Sequence, residues 1–402
     1  MKQPVALLIS ITILLCFLVL GAGTPGNGFG SLWRIERRPA IAAAGEALQL
    51  NEQAVPMVNP PALDWPALTV LPTPVMPQAP QLDQGPIRGV YATGYSAGSA
   101  KKLTQILAFI KKTEVNALVV DIKDDSGLIS YRSSVPMVKE IKSDSGKFVP
   151  ANLLSLLKQE NVYPIARIVV FQDPYLASHR TDLAVRSKAG GLWKDRKGQL
   201  WVDPHNKAVW RYIVDIAKEA AALGFREIQF DYVRFTSDGK LSDCLYPYAT
   251  GQSKADVIKE FLLYARKELK PTGVKLSADI FGLTCSATDD MGIGQEIEKI
   301  ATAVDIVSPM VYPSHYYPGT YGIKEPDLAP YETISASLKA AKARLAGTGI
   351  CMRPWLQDFS LKHHYGREQL LAQIKAVYDN GYTEWIFWNP TNTYQTANYN
   401  TQ

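Results

Sequence analysis

From Ile87 onward, short apolar runs rich in β-branched and aromatic residues alternate with longer segments whose apolar positions return every three or four residues. Eight runs follow in order: IRGVYA from Ile87, ALVVDI from Ala117, YPIARIVVF from Tyr163, EIQFDYVRF from Glu227, VKLSADIFG from Val274, DIVSPMVYP from Asp305, GICMRPWLQ from Gly349 and TEWIFWNP from Thr383. Between them the pattern is helical, as in Leu103, Ile106, Leu107 and Ile110, or Ile258, Leu262, Ala265 and Leu269. Leu223-Gly224-Phe225, Ala346-Gly347 and Asn380-Gly381 offer glycines where a helix must turn back toward the next strand. Such repetition predicts α/β architecture closed as a (β/α)8 barrel, with its longest insertion, Asp173 to His205, after the third strand. An open dinucleotide-binding sheet fits less well, because the first strand-to-helix turn reads TGYSAGSA and lacks the glycine fingerprint.

The first 86 residues follow other rules. Val5 to Leu20 is an uncharged apolar stretch preceded by Lys2 and followed by Gly21, Ala22 and Gly23, the pattern of an export signal, either cleaved or kept as a membrane anchor. Cys16 follows the bulky Leu15, which argues against lipidation. Ten prolines between Pro39 and Pro86 describe an extended linker. The expected organisation is therefore a signal or anchor over 1–25, a Pro-rich linker over 26–86, the barrel over 87–394 and a polar tail over 395–402. The localisation it implies is outside the cytoplasm, membrane-anchored or secreted.

Charge narrows the partners. A net charge of +5 from 43 Lys and Arg against 38 Asp and Glu, with no long basic run, makes nucleic acid an unsuitable partner. Cys244, Cys285 and Cys351 form no CxxC pair; Cys244 and Cys285 follow neighbouring strands, so a bridge between them and two separate thiols both remain open. Asp121-x-Lys123-x-Asp125-x-Gly127 has the outline of a calcium loop, but Lys123 stands where an oxygen ligand belongs, and no metal or cofactor is expected.

In a barrel of this kind chemistry gathers at the C-terminal ends of the strands. The side chains expected there are Tyr91, Asp121, Arg167, Asp231, Arg234, Asp279, Tyr312, His315, Trp355, Asp358, Trp388 and Asn389. Carboxylates and arginines suit sugar hydroxyls, and aromatic rings suit the C–H faces of pyranoses. Alternation along the fourth run puts Gln229 and Asp231 opposite Phe230 and Tyr232, and Asp279 occupies the same position on the fifth. Two carboxyls on adjacent strands can divide the work of glycosidic cleavage, one stabilising or attacking the anomeric carbon and one protonating the leaving oxygen. Asp231 and Asp279 are the candidate catalytic pair. Tyr91, Asp121, Arg167, Arg234, Tyr312, His315, Trp355, Asp358 and Trp388 are candidate substrate-binding residues. Trp385 and Trp388 point to opposite faces of the last strand, which leaves Trp388 as the platform.

The strings RGVYATGYSAG, VVDIKDDSG, PIARIVVFQDP, WVDPHN, IQFDYVRF, SADIFG, SPMVYPSHY and WLQDF, in this order from about Ile87 to Tyr394, resemble the putative glycosyl hydrolase domain family, long catalogued as a domain of unknown function. The resemblance implies a TIM barrel and a glycosidase activity related to that of α-amylase-like barrels. In that wider group the fourth-strand aspartate is the nucleophile and a fifth-strand acid, commonly Glu, the proton donor. Here the fifth-strand acid is the shorter Asp279. The expected function is hydrolysis of O-glycosidic bonds in a cell-envelope or extracellular polysaccharide by a monomeric enzyme. The rival from another class is a barrel that binds envelope glycans without cutting them. A metal-dependent deacetylase would need an Asp/His/His spacing that the sequence lacks.

Overall fold

The computed structural model describes residues 85–401, so the expected signal and nearly all of the expected linker lie outside the described residues. Parallel strands form one closed ring: β1 (Arg88–Ala92), β2 (Ala117–Lys123), β3 (Tyr163–Val169), β4 (Glu227–Asp231), β5 (Lys275–Phe281), β6 (Ile306–Met310), β7 and β8 (Trp385–Trp388). β7 comes in two pieces, Cys351–Met352 and Trp355–Gln357, because Pro354 has no N–H to give to a neighbour. Closure runs from β6 through β7 and β8 to β1, by the pairs Met310 with Trp355, Trp355 with Ile386, and Trp385 with Arg88.

Helices α1 (Ala100–Ile110), α2 (Pro150–Gln159), α3 (Lys207–Leu223), α4 (Lys254–Leu269), α5 (Ile297–Ala301), α6 (Pro330–Arg344) and α7 (Arg367–Asp379) connect successive strands. The apolar stripes expected on α1 and α4 are buried along their whole length. Gly224 closes α3 with φ of 115°, the left-handed conformation that a side chain would oppose. No helix among the described residues is long and apolar enough to cross a membrane.

Two apolar clusters lie on the two faces of the ring. Outward-facing residues such as Phe230 pack on Phe261 of α4, with ring centroids 5.4 Å apart. Inward-facing Val119, Ile165, Ile386, Trp355 and Trp388 fill the barrel itself. At its N-terminal end this interior turns polar: Arg353 Nη1 donates to both oxygens of Glu227 at 2.8 Å and its Nε to Glu384 at 2.8 Å. Removing one partner from such an enclosed pair strands a buried charge, which typically costs about 3–5 kcal/mol, so this network belongs to the fold rather than to a binding site.

Two expectations need correction. The fourth apolar run continues to Phe235, but its strand stops at Asp231, because Tyr232 takes a φ of 50° and throws the chain out of register. Tyr232, assigned by alternation to the outer face, instead lines the barrel mouth. The insertion after β3 pairs antiparallel with the segment that follows β4, Arg186 with Leu245 and Ser187 with Cys244. Cys244, Cys285 and Cys351 are all free thiols, which settles the open pairing in favour of separate cysteines in this structure.

Candidate active site

Period-two alternation delivers Tyr91, Asp121, Arg167, Asp231, Asp279, Trp355 and Trp388 to the C-terminal end of the barrel, from seven different strands. Arg167 is the hub. Its Nη1 donates to Asp121 Oδ1 at 2.5 Å, while Nε and Nη2 donate to Asp231 Oδ2 at 3.1 and 2.5 Å. Asp231 Oδ1 accepts the backbone N–H of Tyr232 at 2.6 Å, a contact made possible by the left-handed turn at that residue. A bulky residue at positive φ costs of order 1–3 kcal/mol, and here the turn aims an N–H at the carboxylate and a phenol ring into the mouth. Asp121 Oδ2 accepts the Tyr91 hydroxyl. Burial raises the Asp121 carboxyl to about 6, against the opposing pull of Arg167.

Asp279 has different company. Its side chain is 1% exposed, its Oδ1 accepts the Trp355 indole N–H at 2.7 Å, and its Oδ2 has no partner among the described residues. Burial pushes its pKa well above the carboxylate range, the negative charge of Asp231 pushes it further, and Arg167 and Trp355 only partly offset them. The site thus holds an ion-paired carboxylate, Asp231, beside a buried carboxyl whose hold on its proton is strengthened, Asp279.

A pocket opens over this layer, lined among others by Asp231, Arg167, Arg234, Tyr312, His315, Trp355 and Trp388. Trp388 stacks on Tyr91 at 3.9 Å, and Trp355 meets Trp388 edge-on at 5.7 Å. The Arg234 guanidinium lies 4.8 to 5.1 Å from the ring centres of Phe281, Trp201 and Tyr232. Burial lowers the His315 pKa to about 4, so its imidazole is neutral at physiological pH, with Ser314 Oγ 3.1 Å from Nδ1. Opposite, Gly282 passes so close to the Met310 carbonyl and the Tyr316 hydroxyl that an added Cβ would overlap both. Gly282→Ala is expected to displace this wall, raising KM roughly tenfold and destabilising by about 1–3 kcal/mol, checked by steady-state kinetics and thermal melting.

Of the residues expected at the site, Asp358 stands apart. Its Oδ2 accepts the hydroxyl of Tyr399 at 2.8 Å, and Tyr399 packs on Phe109 and Phe387 in the outer layer. The carboxyl therefore pins the C-terminal tail to the barrel wall. Burial raises its pKa from 3.8 to about 7. With the folded value above the unfolded one, the stability of the neutral form is complete below about pH 4 and is lost as pH rises through 7. Asp358→Asn, which keeps an acceptor for Tyr399, should match the wild type near pH 4 and melt higher at pH 8, by at most about 4 kcal/mol, in parallel thermal scans. Asn389 also serves the chain locally, accepting from Thr391 N–H at 2.9 Å and donating to the Thr393 carbonyl at 2.9 Å. Tyr232, Phe281, Leu283, Met310 and Tyr316 also line the pocket, although strand-end reading did not single them out for the site. Phe281 and Met310 are the last residues of β5 and β6, and Tyr232 and Leu283 lie just past β4 and β5, so the sequence signal available was the apolar and aromatic residues at and just beyond the strand ends.

A search of curated proteins gives no match. The family described as "Putative glycosyl hydrolase domain" matches residues 89–394. Among solved structures, a hypothetical protein from Ruminiclostridium thermocellum ATCC 27405 is 40% identical, covering 50% of this chain and 98% of its own, with a TM-score of 0.45. The PgaB (BpsB) glycoside hydrolase domain from Bordetella bronchiseptica is 14% identical over 76% of this chain and 94% of its own, with a TM-score of 0.56. The C-terminal domain of a chitinase-like protein from Desulfitobacterium hafniense DCB-2 is 11% identical over 78% of this chain and 96% of its own, with a TM-score of 0.50. At these identities the last two show a shared fold.

Proposed function

The chain belongs to the putative glycosyl hydrolase domain family, and from that premise we propose that it cleaves O-glycosidic bonds in a cell-envelope or extracellular polysaccharide through Asp231 and Asp279. The observation that carries this reading is the contrast between two carboxyls on adjacent strands, one ion-paired with Arg167 and one buried with an oxygen unpartnered among the described residues, its pKa pushed up by burial and by its neighbour's charge. That division is what the reaction requires. Asp231 stabilises positive charge developing at the anomeric carbon, and Asp279 supplies the proton for the departing oxygen. Trp388, Tyr312 and neutral His315 offer ring faces and hydrogen-bonding groups to a sugar, and Arg234 offers a cation. The apolar N-terminal stretch and the proline-rich segment after it support work outside the cytoplasm, by a chain that is exported and either anchored or released. A glycoside hydrolase domain of the same fold in Bordetella bronchiseptica PgaB agrees with this class of activity.

The test is release of reducing ends by the full chain from chitin oligomers, chitosan, peptidoglycan and β-glucan. The proposal expects release from at least one. Retention on a glycan column without any release would instead identify a binding barrel.

A further inference from the structure

The loop after β6 carries His315 into the pocket, and a relay of three side chains behind it decides which ring nitrogen holds the proton. The relay starts on α7. Gln373 Nε2 donates to the Gln357 carbonyl and its Oε1 accepts the Gln357 backbone N–H, both at 2.8 Å, which fixes the end of β7 against the helix. The buried Gln357 side chain then reaches the loop after β6. Its Nε2 donates to the Phe359 carbonyl at 2.9 Å, and its Oε1 accepts the backbone N–H and the hydroxyl of Ser314, at 3.1 and 2.9 Å.

Each of these contacts runs in one sense only. A carbonyl cannot donate and a backbone N–H cannot accept, so turning the Gln357 amide over would set oxygen against oxygen at Phe359 and N–H against N–H at Ser314. The amide oxygen therefore faces Ser314. The single hydroxyl hydrogen of Ser314 then lies toward Gln357, because two oxygens 2.9 Å apart with no hydrogen between them repel. What Ser314 Oγ turns to His315 Nδ1, 3.1 Å away, is a lone pair. A lone pair calls for a donor, so Nδ1 carries the ring proton and Nε2 carries none.

The ring is held edge-on by Tyr312 and Phe359, at centroid distances of 5.3 and 5.9 Å. Nδ1 is taken by Ser314, and among the described residues no hydrogen bond reaches Nε2, which leaves Nε2 as the polar atom that His315 brings to the pocket. Asp327 is the charged group that acts on the imidazole, but its Oδ2 pairs with His363 Nδ1 at 3.0 Å, and burial outweighs it and keeps His315 neutral. Arg167 and Arg234 in the same lining can only donate hydrogen bonds, whereas Nε2 of this tautomer can only accept one.

We propose, resting on the hydrolytic reading above, that His315 is a specificity-determining residue whose Nε2 accepts a hydrogen bond from one donor of the bound sugar, a hydroxyl or an amide N–H. A group that only accepts, such as an ether oxygen, an ester or a fluorine, would set lone pair against lone pair and is turned away. The sugar at this position is thus one whose hydroxyl or amide is unsubstituted.

Nitrogen-15 NMR of the full chain labelled in histidine reads the tautomer without any substrate. The His315 signals, assigned by their loss in His315→Phe, are expected to show a protonated Nδ1 and a bare Nε2 at neutral pH. Ser314→Ala removes the lone pair and should let the other tautomer appear. A protonated Nε2 in the wild type would overturn the proposal. The contact itself is read with 4-nitrophenyl glycosides of N-acetylglucosamine, glucose and galactose in which each hydroxyl in turn is replaced by hydrogen or fluorine, and the acetamido N–H by N-methyl. At one position the wild type should lose about 10- to 100-fold in kcat/KM that His315→Phe does not lose; the ratio of the two enzymes cancels the electronic effect of fluorine. Accepting a hydrogen bond also moves the Nε2 signal upfield, so titration with oligomers of chitin, chitosan and β-glucan and with peptidoglycan fragments reads the contact where no bond is cut. An upfield shift without turnover of any probe would uphold this role and overturn the hydrolase reading. Turnover with the same ratio at every position and no shift would overturn this role alone, and the absence of both turnover and shift would overturn the two together.

Discussion

Asp231→Asn is expected to lower kcat by about 10³-fold or more, with the protein still folded. The size follows from what the substitution removes. Asp231 is the ion-paired carboxylate of the pocket wall, and an amide in its place offers an oxygen of similar shape without the charge that an oxocarbenium-like transition state needs. The fold should survive, because Arg167 keeps Asp121 at 2.5 Å and the new amide oxygen can still accept from the guanidinium. A stability loss of about 1–3 kcal/mol is expected from the weaker contact. An alternative role, in which Asp231 merely holds Arg167 in place, makes the opposite prediction: melting falls and the turnover of whatever protein remains folded does not. Steady-state rates normalised to the folded fraction, read alongside thermal melts, distinguish the two.

Asp279→Asn is expected to cost about 10²- to 10⁴-fold on substrates with poor leaving groups, and far less on 2,4-dinitrophenyl glycosides, which depart without a proton. The amide can still accept the Trp355 N–H, so the indole should stay in place. The sign of the pH dependence is fixed by the direction of the shift. The folded pKa of Asp279 lies above its unfolded value, so the stability of its protonated form is complete below the unfolded pKa and is lost as pH rises through the folded one. Asparagine carries no such dependence. The melting temperature of Asp279→Asn should therefore gain on that of the wild type as the solution is made more alkaline. Wild-type activity should fall along the same limb, because the proton being lost is the one delivered to the leaving group.

Much of this architecture was legible in advance because the signals that made it are local. Inward and outward faces alternate with period two, so Trp388 could be separated from Trp385 and Asp231 from Phe230 without knowing the fold. Helix stripes, exemplified by Leu103 to Ile110, are equally local. What could not be read was anything decided across the barrel. That Asp358 would turn toward Tyr399 depends on a tail 41 residues away, and that Asp279 would lie under Trp355 depends on a contact spanning 76 residues. Tyr232 was misplaced for a third reason: alternation assumes a strand that continues, and a single left-handed residue ended it.

The functional reading depends on one physical claim, that the site keeps Asp279 protonated beside an ion-paired Asp231 at the same pH. Infrared difference spectroscopy with carboxyl-labelled aspartate, wild type minus Asp279→Asn, tests it at pH 8, where Asp121, near 6, is ionised and Asp358, near 7, is largely so. The account predicts a carboxylic-acid carbonyl band in the wild type that the variant lacks. A difference showing only an ionised carboxylate lost with Asp279 would contradict it.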